Sequence, residues 1–134
     1  MEAQVLRRAI LDYAREHYNA LPEYLWERYP AFAVLRHERN RKWFALVGRV
    51  PRSALGLEGA EVEILNIKCG PALTGSLLGQ PGFRPAYHMN KNHWVTVLLD
   101  GTVPLEDILP LLELSFQATE GNIRPRKGQK TPAR

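Results

Sequence analysis

A chain of 134 residues, 45% hydrophobic and 24% charged, has the length and composition of one globular domain with its own core, not of a disordered chain. Its one cysteine, Cys69, excludes an internal disulfide; no disulfide-linked partner is expected, and the reducing cytoplasm is the simplest location. The net charge of +4 comes from the C-terminal tail, where Arg124, Arg126, Lys127, Lys130 and Arg134 stand without an acid, while the rest holds 13 basic against 14 acidic residues.

Between Glu2 and Tyr18, Leu6, Ile10, Tyr13 and His17 recur at spacings of three and four and predict an amphipathic helix. The first residues alternate apolar and charged side chains, so no export signal is expected. Asn19 suits the left-handed turn that closes a helix, and Pro22 enforces the stop. The segment 22–30 carries three large aromatics without a period and reads as a cap on one end of the core.

Phe32 to Val50 predicts a β-hairpin with arms at 32–35 and 43–47 and a charged tip at Glu38–Lys42. Between Arg36 and Arg52 six basic residues face one acid, Glu38, the densest positive field outside the tail. A loop over 50–59 leads to a strand at 60–69, whose apolar residues slip by one position between Ile64 and Leu65, the mark of a bulge or strong twist. Pro71–Leu78 predicts a short helix, broken by Gly79–Gly82. Ala86 to Leu99 repeats the hairpin grammar and ends at the turn Asp100-Gly101.

The last helix starts near Pro104, with Glu106 and Asp107 in its first turn and Leu105, Ile108, Leu109, Leu112 and Phe116 on its buried face. Pro110 lacks the donor that would reach Glu106, so a kink or restart is expected there. Residues 1–121 are therefore read as one domain and 122–134 as a basic, flexible tail. No run approaches the roughly 18 apolar residues of a membrane span. Hairpins plus helices on one face give an α+β sandwich of two layers, with a mostly antiparallel sheet of about five strands.

The two hairpins share a pattern. His37 precedes Trp43, and His88 precedes Trp94, by six positions, with Asn40-Arg41 and Asn90-Lys91 between them. These stretches, with Leu65-Asn66-Ile67-Lys68-Cys69 and Trp94-Val95-Thr96-Val97-Leu98-Leu99-Asp100-Gly101, resemble the MmcQ/YjbR family across roughly Tyr24 to Thr119. The resemblance implies a frataxin-like (CyaY-like) fold and a double-wing DNA-binding motif. It says nothing for the tail or for Pro110, which do not match the family pattern.

Two cationic tips suit a duplex, with Arg and Lys neutralising phosphates and Asn or Arg reaching base edges. The candidate nucleic-acid contacts are Arg36, His37, Arg39, Asn40, Arg41 and Lys42 on the first tip, and His88, Asn90, Lys91, Asn92 and His93 on the second. The plain alternative is that such tips are solvated and keep sheet edges from pairing. Trp43 and Trp94 each open an apolar run and are read as core. The three histidines and Cys69 lack the short spacing of a known metal site, and a lone cysteine ending a strand is usually packing. The first helix lacks the acidic surplus of an iron-binding frataxin. The expectation is a non-enzymatic DNA-binding domain with no cofactor or metal; the alternative is a protein- or small-ligand-binding module of the same fold.

Overall fold

The computed structural model describes residues 2–120, so the tail at 122–134 lies outside the described residues. The helices are α1 (Ala3–Tyr18), α2 (Pro71–Leu77) and α3 (Leu105–Ala118), and the strands are β1 (Ala33–Arg36), β2 (Trp43–Pro51), β3 (Glu61–Lys68), β4 (Phe83–Pro85) and β5 (Trp94–Leu98). A short 3-10 turn follows β2 at Arg52–Leu55. The strands form one sheet in the order β1-β2-β3-β5-β4, with every neighbouring pair antiparallel. This is the expected α+β architecture, an open antiparallel sheet with all three helices on one face. No described helix is long and apolar enough to cross a membrane.

The main core lies between helices and sheet, where Leu6, Ile10, Ala14, Ile108 and Leu112 meet Phe44, Val47, Leu65, Ile67, Val95 and Val97. Leu6, Ile10 and Ala14 are the buried stripe of α1. His17, expected on that stripe, is exposed and stacks on Tyr13 at 4.0 Å between centroids. Asn19 closes α1 with φ 53°, as its residue type predicts.

A second cluster, Val50, Leu55, Val62, Ile64 and Leu98, covers part of the sheet's other face. This explains the slipped pattern in β3. Val62 and Ile64 point to one apolar layer and Leu65 and Ile67 to the other, so both alternations are buried. The bulge expected near Ile64-Leu65 is absent, and β3 pairs in regular register with both neighbours. The irregularity lies instead between β1 and β2, where Leu35 pairs Ala45 but Arg36 pairs Trp43. Phe44 is the extra residue and turns into the main core. The Phe44 carbonyl there accepts from Ser115 Oγ at 2.5 Å, and that hydroxyl accepts the Lys68 N–H at 2.7 Å.

α3 runs through Pro110 without the expected restart. Pro110 and Glu106 are both exposed, so the carbonyl that the missing N–H leaves free lies on the solvent side of the helix, where its loss of a donor costs least. The segment 22–30, expected as a cap on one end of the core, lies instead along β1 and over an aromatic cleft. Glu23 bridges Val34 beside β1, and Trp26 and Phe32 then lie on the helix-free face.

Candidate nucleic-acid interface

Strand order decides where the tips go. Arg36 pairs Trp43 at the root of the first tip, and Lys68 pairs Trp94 at the root of the second. The loops 37–42 and 86–93 therefore leave the same end of the sheet, separated by the end of β3. With strands spaced about 4.8 Å, the two hairpin axes are about 14 Å apart.

The first tip is fastened to the end of α3. His37 Nε2 lies 2.6 Å from Thr119 Oγ1, and Asn40 Nδ2 donates to the Thr119 carbonyl at 3.1 Å. His37 is buried, stacked on Phe116 at 4.1 Å and edge-on to Phe44. Burial pushes its pKa below the usual 6.5, the Phe116 backbone opposes that shift, and the nearby Lys42 charge adds to it. His37 was expected among the tip contacts; it is a core side chain with no surface to offer. Within the loop, Lys42 N–H donates to Asn40 Oδ1 at 2.9 Å, and Arg41 takes the left-handed φ of 62°.

The second tip is built the same way. Asn92 N–H donates to Asn90 Oδ1 at 2.8 Å, and the Asn90 carbonyl accepts from His93 and Trp94. The repeated Asn is thus turn chemistry: in each loop its side-chain oxygen is held by the amide two residues on. Asn40 and Asn90 are turn formers first, which lowers their value as base readers. The root is fixed by a buried network in which Tyr87 N–H donates to Thr96 Oγ1 (2.9 Å), Thr96 to Asn66 Oδ1 (2.5 Å), and Asn66 Nδ2 to the Tyr87 carbonyl (2.9 Å). Lys91 Nζ donates to the Ala86 carbonyl at 2.7 Å. His88 is exposed and His93 half-buried.

The tip end carries Arg36, Arg39, Arg41, Lys42, Lys68 and Lys91 against Glu23, Glu38 and Glu120. Glu23 neutralises part of this field, lying 3.3 Å from Arg36 Nε and 2.9 Å from Arg41. Arg39, Lys42, Lys68 and Lys91 have no ion-pair partner among the described residues. Arg39, Lys91 and Asn92 are exposed, and Lys42 and Lys68 half-exposed.

Two clefts open on the helix-free face. One, of about 290 Å³, is walled by Trp26, Tyr29, Phe32, Trp43 and Leu46 and by the Tyr87–Met89 segment. The other, of about 340 Å³, lies across Tyr87 and His88 and includes Arg84 and Lys91. Trp43 and Trp94, expected as core, are both half-buried, and Trp43 is a wall of the aromatic cleft. The sequence pattern missed this cleft because its rings come from three separate segments; the aromatic run at 22–30 was its one visible sign.

Cys69 is buried, with Sγ 3.1 Å from Thr74 Oγ1. Among the described residues, no three His, Cys, Asp or Glu side chains converge as a metal site would require.

The profile of the YjbR family matches residues 15–118. An uncharacterised protein of Bacillus subtilis, YyaQ, is 41% identical over 115 residues, covering 85% of this chain and 98% of that protein. Escherichia coli YjbR, also described as uncharacterised, is 37% identical over 67 residues, 49% of this chain and 56% of that protein. A crystal structure of a Pseudomonas syringae protein superposes with TM-score 0.81 at 45% identity, covering 84% of this chain and 97% of that one. A Deinococcus radiodurans structure gives TM-score 0.65 at 26% identity over 90% of this chain and 80% of its own.

Proposed function

The chain belongs to the YjbR family, and we propose that it is a non-enzymatic, cytoplasmic DNA-binding domain whose two hairpin tips seat on a duplex as wings. The observation that carries this reading is the common direction of the tips. A strand order of β1-β2-β3-β5-β4 sends both loops from one sheet end, about 14 Å apart by strand spacing, a separation comparable to the roughly 12 Å major groove.

In this reading Arg39, Lys42, Lys68 and Lys91 neutralise phosphates, which supplies most of the affinity and sets the register. Arg39 and Asn92 are the side chains free to reach base edges. Arg36 and Arg41 are held by Glu23 and act through position more than through net charge. Rigid roots matter here, because a contact residue is useful only when its support is locked. The His37–Thr119 contact and the Asn66–Thr96–Tyr87 network provide that support.

The test is duplex binding measured against salt. Each neutralised phosphate contributes about −0.9 to the slope of log K on log salt, so binding through the four unpaired cations gives a slope of a few units. Binding that ignores salt, or none at low salt, removes the reading. The alternative, a small-ligand module, is favoured by one observation, the aromatic cleft beside the second tip.

A further inference from the structure

We propose that the helix-free face binds a single nucleotide unit, its base in the aromatic cleft and its phosphate in the cationic cleft, across the wall made by Tyr87 and His88. This assignment does not depend on the tips holding a duplex.

Size comes first. A volume of about 290 Å³ sits at the low end for ligand sites and suits one ring system, not a peptide. Trp26 meets Trp43 edge to face at 5.8 Å and 83°, and meets Phe32 at 6.0 Å and 85°. Trp26 therefore forms a corner with Trp43 and Phe32 and does not stack on either. Tyr29 is 54% exposed and stacks on Phe32 at 5.5 Å and 30°. A planar base inserted among such rings gains the sequence-tolerant stacking that single-strand binders use.

The adjoining cleft supplies the charge. Its lining includes Arg84, Lys91 and His88 and no acid. Arg84 donates through Nε and Nη2 to the Leu55 carbonyl at 3.1 and 2.8 Å, which fixes the guanidinium while leaving three of its five N–H groups for a ligand. Lys91 likewise has one donor committed to Ala86 and two free. Tyr87 and His88 line both clefts, so the two adjoin across these residues. Tyr87 is held on both backbone sides by Asn66 and Thr96, so the wall is fixed before any ligand arrives. A ring-lined apolar cleft adjoining a cationic one matches base plus phosphate.

The experiment uses the full-length Trp94→Phe variant, so that indole fluorescence reports Trp26 and Trp43. Thymidine monophosphate and oligo-dT should quench it, thymidine alone should bind at least fivefold more weakly, and an abasic oligomer of equal length and charge should leave it unchanged. Tyr29→Ala should weaken the monophosphate by roughly fivefold or more, and Lys91→Gln should weaken the monophosphate but not thymidine. Tighter binding of oligo-dT than monophosphate identifies a strand as the source of the nucleotide, and the reverse a free nucleotide. If no base-containing ligand quenches, or the abasic oligomer quenches equally, the proposal fails, even where duplex binding persists. Shifts of the Trp26 and Trp43 indole N–H signals in the unmodified protein give the same answer should Trp94→Phe perturb the fold.

Discussion

The imidazole of His37 rests 2.6 Å from the hydroxyl of Thr119, a residue 82 positions away, and this contact ties the root of the first tip to the last turn of the domain. Thr119 Oγ1 also reaches the Ser115 carbonyl at 2.8 Å, so the ring is anchored to a group already fixed in the helix. Replacing Thr119 by Val leaves a buried ring nitrogen without a partner, at a cost of about 1–3 kcal/mol. Urea denaturation of the variant checks this.

The same ring sets a pH dependence. Burial lowers the folded pKa of His37 below its ordinary 6.5, so the unfolded chain binds the proton more readily than the folded one. The stabilisation is complete above 6.5 and is lost as pH falls from there through the lower folded value. Melting temperature should drop across that acid window, and the drop should shrink in His37→Gln.

Glu63 is buried and receives Arg7 at 2.9 Å and Arg49 at 3.0 Å, linking α1, β2 and β3. Its removal leaves Arg7, whose side chain is only 13% exposed, without its counter-charge and with the Ala31 carbonyl as its remaining partner. Glu63→Ala should cost about 3 kcal/mol or more, since breaking one side of a buried pair leaves an uncompensated charge. Arg15→Ala, which gives up only an exposed ion pair with Asp12, should cost less than about 1 kcal/mol. Comparing the two midpoints measures the contrast.

A Cβ at Gly48 would sit 2.4 Å from the Phe32 ring. Gly48→Ala should displace Phe32, destabilise the domain by about 1–3 kcal/mol and distort the aromatic cleft. The near-ultraviolet circular dichroism of the aromatic cluster reports the second effect independently of the melt.

Much of this arrangement was legible in the residues. Alternation and turn chemistry located both hairpins, and Pro and Asn placed the helix ends. The β3 slip shows where pattern reading fails: a strand buried on both faces by two unlike layers looks like a bulge. The tips show a second limit. His37 reads as a polar tip residue until Phe116 and Thr119, distant in sequence, close over it. Trp43 reads as core until the opposite face is seen to lack a helix. The cleft needed rings from segments 22–32, 43–46 and 87–89 to meet, which local periodicity does not encode. The second tip's first arm was also displaced, since β4 occupies 83–85, ahead of Ala86.

Serine at both Arg39 and Lys91 should weaken duplex binding and make the salt slope shallower by about 0.9 for each phosphate no longer neutralised. Arg39→Ser should change stability by less than about 0.5 kcal/mol because that side chain is exposed, while Lys91→Ser also gives up the hydrogen bond to the Ala86 carbonyl and should cost about 1 kcal/mol. Fluorescence anisotropy of a labelled duplex, paired with a thermal melt, reads both quantities.

The central claim is that the described domain, and not the basic tail, reads DNA. The direct test replaces Arg124, Arg126, Lys127, Lys130 and Arg134 by Ser in the full-length chain and measures duplex affinity from low to physiological salt. The account predicts weaker but measurable binding at low salt, with a slope that remains distinctly negative and that Arg39→Ser with Lys91→Ser then reduces by roughly half. Complete loss of binding on neutralising the tail alone would contradict it.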